Sequence, residues 1–402
     1  MSNEAADRTP VILSAKRTPV GKFFGSFSRT PSPQLGALAL RAALDAAPGA
    51  AAHVDEAMFG CVLQAGLGQN PARQAALKAG LPDTMSAVTI NKVCGSGLQA
   101  VMQAAQSIKA GDNQLVAAGG FENMTLAPHF AHVRSGVKFG PASFEDHMQY
   151  DGLRCAFECW AMGDGADWLA NEYNISREDQ DAFAARSHQL AEAAQGNGWF
   201  DSETVQITGE QIGNRKKPGL DGGCTVDEGV RAGTTADGLA KLRPVFSKEG
   251  TVTAANASQI SDGGAALIVS SAAKAEELGL KPMARIIAYH TSGVSPKSIF
   301  RAPAVAVPAV LEKAGLSMGD IDLFEMNEAF AAQAIQNVRE AGIPEEKVNV
   351  CGGAIAIGHP IGASGARVLT TLLHQMERID AKRGLAALCL GGGNAVAMIV
   401  ER

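Results

Sequence analysis

Two stretches of the chain repeat one pattern. Residues 94–120 read CGSGLQAVMQAAQSIKAGDNQLVAAGG, and residues 361–393 read IGASGARVLTTLLHQMERIDAKRGLAALCLGGG. Each contains Ser-Gly, apolar residues at helical spacing, a polar turn with glycine, a short apolar strand and a glycine cluster. The repetition predicts a duplicated fold in which two equivalent loops meet where the halves contact each other.

Short apolar strands alternate with amphipathic helices outside the repeat. PVILSAKRTP (10–19) predicts an opening strand, and AALIVSSA (265–272) predicts another that leads into a helix closing on Gly279. Ser32 and Ser176 each precede a helical pattern and are interpreted as N-caps. This alternation indicates an α/β fold and favours parallel sheets covered by helices on both faces.

Size, charge and cysteine content exclude several classes of protein. The 402 residues allow two or three domains, and a net charge of −6 without a basic block argues against nucleic acid as a partner. No apolar run reaches the ~18 residues of a membrane span, and the start MSNEAADRTPVILSAKRTP does not resemble a signal peptide. Seven scattered cysteines suggest no disulfide framework, so a reducing cytoplasm is the simplest setting.

The stretch from about 124 to 250 interrupts the pattern. It contains a hydrophilic helix and Gly- and Asp-rich loops such as GNRKKPGLDGGCTVDEG. Long insertions of this kind are usually functional. We interpret the stretch as a lid or ligand-gripping domain inserted between the halves.

Cys94 is the first candidate for chemistry. A cysteine directly before a helix faces the positive end of the helix dipole, which lowers the thiol pKa and favours a nucleophilic thiolate. Gly95 and Gly97 are expected to let a substrate carbonyl approach the backbone. The alternative is a small buried apolar residue, as most cysteines are.

His359 is the matching candidate base. It lies in the Gly- and Pro-rich loop GGAIAIGHPIGASGAR (352–367), directly before the helix of the second copy. Four other histidines occur in polar or helical contexts that favour a solvated ring, namely His53, His132, His147 and His188.

Cys389 and Asn327 complete the set. Cys389 ends an apolar strand before three glycines whose N–H groups can bind an anion, although a buried strand cysteine is an equal alternative. Asn327 interrupts an apolar run in FEMNEAFAAQ (324–333). It is either a helix cap or an amide that holds a water or a carbonyl oxygen.

These blocks together resemble a known family. NKVCGSGLQA, GTVTAANASQISDGGAAL, EMNEAFA, GGAIAIGHPIGASGAR and CLGGG resemble, in order, the signature blocks of the thiolases, and the resemblance covers nearly the whole chain. It implies a five-layered α-β-α-β-α core of two halves, with an inserted loop domain and a homotetramer. The implied parts are residues 1–123 completed by about 261–281, the loop domain 124–260, and residues 282–402.

The resemblance also implies roles for individual residues. Cys94 is the acyl-carrying nucleophile, His359 its base, and Cys389 the acid and base for the α-carbon or for the thiol of coenzyme A. Asn327 is implied to hold a water of the first oxyanion hole, while the N–H groups of Cys94 and Gly391 form the second. The implied ligands are acyl-CoA and CoA, with no bound cofactor and no metal, and the implied contacts to them are Ser258, Arg231, Met162 and Phe330.

Several positions depart from the common thiolase pattern. Ala161 replaces a histidine, and Phe300 and Arg301 replace small residues of a Met-Gly-x-Gly-Pro stretch. The remaining departures are Gly165-Ala166-Asp167, Gly238, Cys351 and Asn394. None is a predicted catalytic position, so activity is expected while acyl preference stays open.

The sequence supports one expected reaction and leaves three alternatives to it. The expected reaction is reversible condensation and thiolysis, with acetoacetyl-CoA as the expected 3-ketoacyl-CoA. A longer-chain thiolase of fatty acid β-oxidation uses the same residues. A non-catalytic acyl-CoA- or lipid-binding protein would not need both cysteines and the histidine, and a decarboxylating ketosynthase does not match the block around Cys389.

Overall fold

The computed structural model describes residues 7–214, 217–218 and 222–402. The first six residues, part of the segment without a signal-peptide pattern, lie outside this description. So do residues 215–216 and 219–221 of the Gly- and Asp-rich loop.

The main sheet and its helices alternate along the chain. The strands are β1 Pro10–Arg17, β2 Glu56–Gly60, β3 Ser86–Ile90, β4 Leu115–Asn123, β5 Ser261–Ser271, β6 Ala284–Gly293, β7 Leu323–Met326, β8 Arg383–Leu390 and β9 Asn394–Glu401. The helices are α1 Ser32–Asp45, α2 Pro71–Lys78, α3 Ser96–Ala110, α4 Met162–Glu172, α5 Arg177–Gly196, α6 Ala236–Leu239, α7 Ala272–Glu277, α8 Ala302–Ala314, α9 Ala331–Ala341, α10 Ala354–Ile357 and α11 Ser364–Arg378. Short 3-10 segments are Ala50–His53, Gly209–Gln211, Pro296–Arg301, Met318–Asp320 and Glu345–Lys347, and Met148–Leu153 forms a π-helix.

The sheet consists of two halves with the same strand order. The first half runs β3-β2-β4-β5-β1, and the second runs β7-β8-β9-β6. In the second half a bridge between Phe324 and Val348 takes the place of β3. The halves join through only two residue pairs between β1 and β6. This arrangement confirms the duplication that the repeat predicts.

Strand direction differs from the parallel sheets that the alternation favours. The pairs β2–β3, β2–β4 and β7–β8 are parallel, while β5 and β9 run antiparallel to both of their neighbours. The sheet is therefore mixed, and the prediction of parallel sheets is wrong for β1, β5, β6 and β9. β5 and β9 are nevertheless fully or almost fully buried, so apolar composition alone does not reveal their direction.

The helices form three layers around the two half-sheets. α3 and α11 supply the apolar cluster between the halves, while α1 and α2 cover the outer face of the first half. α8 and α9 pack on the outer face of the second. The predicted five-layered α-β-α-β-α arrangement is confirmed.

The two central helices contact each other closely at their N-termini. A side chain on Gly97 would lie 2.7 Å from the Ala366 nitrogen, and one on Gly365 would overlap the Leu98 backbone. Glycine is needed at both positions because the helix backbones approach each other there. The loops that precede α3 and α11 are consequently held side by side.

The residues between β4 and β5 form the inserted part. Their described portion contains α4, α5 and α6, together with the two-residue strands His129–Phe130, Glu145–Asp146, Gly213–Asn214 and Lys217–Pro218. The bounds of the three parts given above stay a prediction. No helix within the described ranges is both long and apolar enough to cross a membrane.

The two cap predictions have different outcomes. The Ser176 hydroxyl accepts the Asp179 N–H, so the cap of α5 is confirmed. Ser32 is the first residue of α1 rather than its cap, and its hydroxyl accepts the Asn123 N–H 2.9 Å away. That bond ties α1 to β4, a tertiary contact that a local pattern does not reveal.

Candidate active site

Cys94 lies in a tight loop between β3 and α3. Its predecessor Val93 has φ +47°, a left-handed conformation that is unfavourable for a β-branched residue. The Asn91 side chain accepts the Val93 N–H at 3.0 Å, while the Ser96 hydroxyl accepts the Lys92 N–H and donates to the Val93 carbonyl. These bonds hold the strained loop and place Cys94 directly before the helix, as predicted.

His359 occupies the equivalent loop before α11. Its Nδ1 lies 2.6 Å from the Ser364 hydroxyl, which donates to the Pro360 carbonyl at 2.8 Å. Because that hydroxyl proton is used, Nδ1 carries the proton and donates to Ser364. Nε2 is left as the basic nitrogen. Ser364 has the same place in the second copy of the repeat as Ser96 has in the first. The repeat could therefore have indicated Ser364 as the residue that orients His359.

Cys389 and Gly391 approach the same place from the end of β8. A side chain on Gly391 would lie 3.1 Å from the Val93 side chain, so this glycine lies against the Cys94 loop. The N–H groups of Cys94 and Gly391 act on the Cys94 sulfur to lower the pKa of its thiol, and so favour its anionic form. The predicted pair of N–H donors is therefore brought together at that sulfur.

One cavity of about 660 Å³ collects the predicted residues. Cys94, His359 and Cys389 all line it. So do Gly391, Ser258, Arg231, Met162 and Phe330. Residues from both halves and from the inserted part thus contribute to a single site.

Asn327 lies behind the cavity rather than in its wall. Its Nδ2 is 3.4 Å from Nε2 of His359, and its buried Oδ1 has no hydrogen-bond partner among the described residues. Helix α9 begins at Ala331, so the helix-cap interpretation of Asn327 is wrong. The unpaired oxygen fits a polar group such as a water, but that role stays a prediction.

Burial outweighs the helix dipole at Cys94. Desolvation raises the pKa of its thiol to about 12, and the negative charge of Glu122 also raises it, although the two N–H groups act in the opposite direction. The net shift of this pKa is therefore upward, and the expected lowering is wrong. The sequence shows the helix terminus but not the apolar walls around it.

The other two groups are also held neutral. Burial lowers the pKa of His359 to about 3, helped by the Arg367 guanidinium, and burial raises the pKa of the Cys389 thiol far above its ordinary value. At neutral pH the site therefore contains two thiols and a neutral imidazole. Proton transfer must accompany attack on a substrate rather than precede it.

Glu122 is a buried group that the sequence interpretation missed. It accepts the N–H groups of Val62, Leu63 and Gly362 at 3.0–3.1 Å and fixes the loop before α11 to the end of β4. Burial raises its pKa to about 7 in spite of these bonds. Its only sequence signal is a carboxylate in the otherwise apolar stretch LVAAGGFEN.

Two expectations about neighbouring residues are wrong. Gly95 faces the Leu390 side chain and Gly97 faces α11, so both permit close packing and do not open the backbone to a substrate. His147 and His188 are buried rather than solvated. His188 accepts the Arg231 N–H at 3.2 Å, and burial lowers its pKa to about 4.

Charge at the cavity mouth is mainly positive. Exposed Lys22 and Arg231 line it, as does Asp146. A local basic region of this kind suits an anionic ligand of a protein with net charge −6. Within the described ranges, no three His, Cys, Asp or Glu side chains are grouped to hold a metal ion.

His359 should make stability depend on pH. Its folded pKa of about 3 lies below the ~6.5 of an unfolded histidine, so between these values the unfolded state binds a proton that the folded state does not. The free energy of unfolding should fall as pH decreases below ~6.5, by at most about 1.4 kcal/mol per pH unit. His359→Asn, which retains a donor for Ser364, should lack this contribution. Urea denaturation at about pH 7 and about pH 5 measures it, and parallel losses in both proteins would refute it.

Known proteins share the sequence and the fold of this chain. Residues 10–273 match the model of the thiolase N-terminal domain, and residues 280–402 match that of the thiolase C-terminal domain. An acetyl-CoA acetyltransferase of Cupriavidus necator is 53% identical over 98% of this chain and 99% of its own length. One of Escherichia coli is 50% identical over 98% of both chains. The crystal structure of the Bacillus anthracis acetyl-CoA acetyltransferase superimposes with a TM-score of 0.94 at 40% identity, covering 99% of both chains. The chain belongs to the thiolase family.

Proposed function

We propose that this chain is an acyltransferase that interconverts two molecules of acetyl-CoA with acetoacetyl-CoA and CoA. The observation that carries the proposal is the convergence of Cys94, Cys389 and His359 on one cavity. Two sulfurs and one imidazole are what a reaction needs when it combines acyl transfer with cleavage of a C–C bond. Relatives about 50% identical are named acetyl-CoA acetyltransferase, which supports acetoacetyl-CoA over longer substrates.

The first step of thiolysis forms an acyl-enzyme. Cys94 attacks the 3-keto carbon of acetoacetyl-CoA while its proton passes to Nε2 of His359. The N–H groups of Cys94 and Gly391 stabilise the oxyanion that develops next to the sulfur. The C2–C3 bond then breaks, and the leaving carbanion takes a proton from Cys389 to become acetyl-CoA.

The second step releases the acetyl group. CoA gives its thiol proton to the Cys389 thiolate and attacks the acetyl group on Cys94. The Cys94 thiolate leaves and recovers its proton from His359, so all protons balance. Asn327, next to His359, is assigned to the oxyanion of the carbanion through a water. Condensation is the same sequence reversed.

Substrate binding follows from the two ends of the cavity. Arg231 and Lys22, which are exposed, suit the phosphates of CoA, and the Ser258 hydroxyl in the cavity lining is assigned to the pantetheine part of CoA. Met162 and Phe330 provide apolar contacts further inside. None of these contacts favours a longer-chain thiolase, and none favours a binding protein without turnover.

Incubation with acetoacetyl-CoA and CoA tests this function. We expect saturable cleavage to acetyl-CoA with ping-pong kinetics, because the acyl group waits on Cys94 between the two steps. Loss of absorbance of the acetoacetyl-CoA enolate measures the rate, and 3-ketooctanoyl-CoA is the comparison. A folded protein that cleaves neither compound would refute the proposal.

An exposed apolar cluster suggests how copies of the chain assemble. The inserted part exposes apolar side chains between residues 133 and 144, namely Val133, Val137, Phe139 and Phe144. Exposed apolar clusters mark contact surfaces, and we assign this one to a homotetramer. A monomeric mass in light scattering would contradict it. A cytoplasmic setting is proposed because seven free thiols suit a reducing compartment, and recovery from a membrane fraction would argue against it. Fatty acid metabolism is the proposed pathway because acetoacetyl-CoA and acetyl-CoA are acyl thioesters of that chemical class.

A further inference from the structure

The cavity has two separate apolar walls, one next to each cysteine. The Cys389 wall consists of Ile299, Phe300, Ala329 and Phe330, which share one cluster with Cys389. The Cys94 wall consists of Met124, Met148, Leu153 and Ile361, against which Cys94 packs. All eight residues line the cavity. The two clusters to which they belong have no residue in common. A substrate that touches both cysteines therefore meets two different surfaces.

Phe300 is the bulky departure in the Cys389 wall. Its ring centroid lies 5.2 Å from that of Phe330 with an interplanar angle of 69°, an edge-to-face contact. The residue is only 2% exposed. On its other side, a side chain on Gly165 of α4 would lie 3.4 Å from the ring. The ring is thus enclosed between α4 and the start of α9.

The segment that carries Phe300 is anchored on both sides. Arg301 forms a forked ion pair with Glu340 of α9, with N–O distances of 2.6–3.0 Å. The Lys297 ammonium lies 5.0 Å from the Trp168 ring centroid on α4. Because both flanks are held, the ring has little freedom to move away from a larger ligand.

The proposed reaction assigns a different part of the substrate to each wall. Cys94 bonds to the 3-keto carbon, so the acyl chain beyond that carbon extends along the Cys94 wall. Cys389 exchanges a proton with the α-carbon, so this carbon lies next to Cys389 and a substituent on it is within reach of the Cys389 wall. Separate residues therefore limit the length of the acyl chain and the branching at the α-carbon.

We propose that Phe300 restricts this enzyme to substrates with an unbranched α-carbon, while the Cys94 wall sets acyl chain length. The inference rests on the proposed function. The native protein should cleave acetoacetyl-CoA at least about 10-fold better than 2-methylacetoacetyl-CoA, because one extra methyl group next to Cys389 meets the enclosed Phe300 ring.

Three variants and three substrates test the assignment. Phe300→Ala should raise kcat/KM for 2-methylacetoacetyl-CoA relative to acetoacetyl-CoA by about 10–200-fold, and change the ratio for 3-ketohexanoyl-CoA by less than about 3-fold. Leu153→Ala, the matched control from the Cys94 wall, should do the reverse. Phe300→Leu, which preserves an apolar side chain, should give a smaller shift in the same direction and decides the case if the alanine variant does not fold.

The outcomes separate the inference from the function. An unchanged ratio for the branched substrate in both Phe300 variants, with acetoacetyl-CoA still cleaved, overturns the inference alone. Equal gains in relative kcat/KM for the branched and the longer substrate overturn it as well, since one wall would then limit both chain length and branching. Failure of the native protein to cleave acetoacetyl-CoA removes the proposed function and this inference with it.

Discussion

Cys94→Ala should reduce kcat/KM for cleavage of acetoacetyl-CoA by at least about 10⁴-fold, because no other group in the cavity can carry the acyl intermediate. Among the described residues, Cys389 is the only other cysteine lining the cavity, and it lies in a different apolar cluster from Cys94. CoA binding should persist, since Arg231, Lys22 and Ser258 are unaffected. Initial rates with the purified variant and CoA titration measure the two effects.

The matched control for this variant is Cys351→Ala. Cys351 is a buried thiol whose pKa burial also raises, but it does not line the cavity. The same truncation there should leave kcat/KM within about 3-fold of the native value, as expected for a residue that touches no substrate. Residual activity of Cys94→Ala above about one tenth of native would contradict the assignment of the nucleophile.

Cys389→Ala should reduce overall thiolysis and condensation by about 10²–10⁴-fold, the usual contribution of a general acid or base. The loss should be uneven between the two half-reactions. Abstraction of the α-proton needs a base, whereas the CoA thiolate is a good leaving group and departs readily without a proton from a general acid. The variant should therefore still transfer an acetyl group from acetyl-CoA to Cys94 while failing to exchange the α-protons of acetyl-CoA with solvent.

Proton exchange in D₂O distinguishes this role from a structural one. Native protein should incorporate deuterium at the α-carbon of acetyl-CoA, and Cys389→Ala should not. A variant that merely distorts the cavity would lose acetyl transfer and exchange together. Exchange at the native rate in the variant would assign the α-proton to another group.

The local sequence reveals where the loops lie. The repeated Ser-Gly at the start of each central helix locates Cys94 and His359 in equivalent loops, and the glycines after β8 locate Cys389. These features are local because a helix start or a strand end depends on neighbouring residues. The duplication then implies that the loops meet, and the structure shows that they do.

Features set by distant contacts were predicted less well. The direction of β5 depends on which strands it pairs with, and the pKa of Cys94 depends on apolar walls from three parts of the chain. The Gly97 backbone faces α11, more than 250 residues further along the chain, rather than a ligand. Glu122 gave almost no signal because its partners are backbone N–H groups from other segments. In each case a tertiary contact decides the outcome.

The most direct test of the account is the location of the acyl group. Native protein is incubated with acetyl-CoA, quenched in acid and digested, and the peptide containing Cys94 should then carry one added acetyl group. Addition of CoA after the incubation and before the quench should remove that group. Mass spectrometry measures both. Turnover without an acetyl group on Cys94, or with the group on Cys389 instead, would contradict the mechanism.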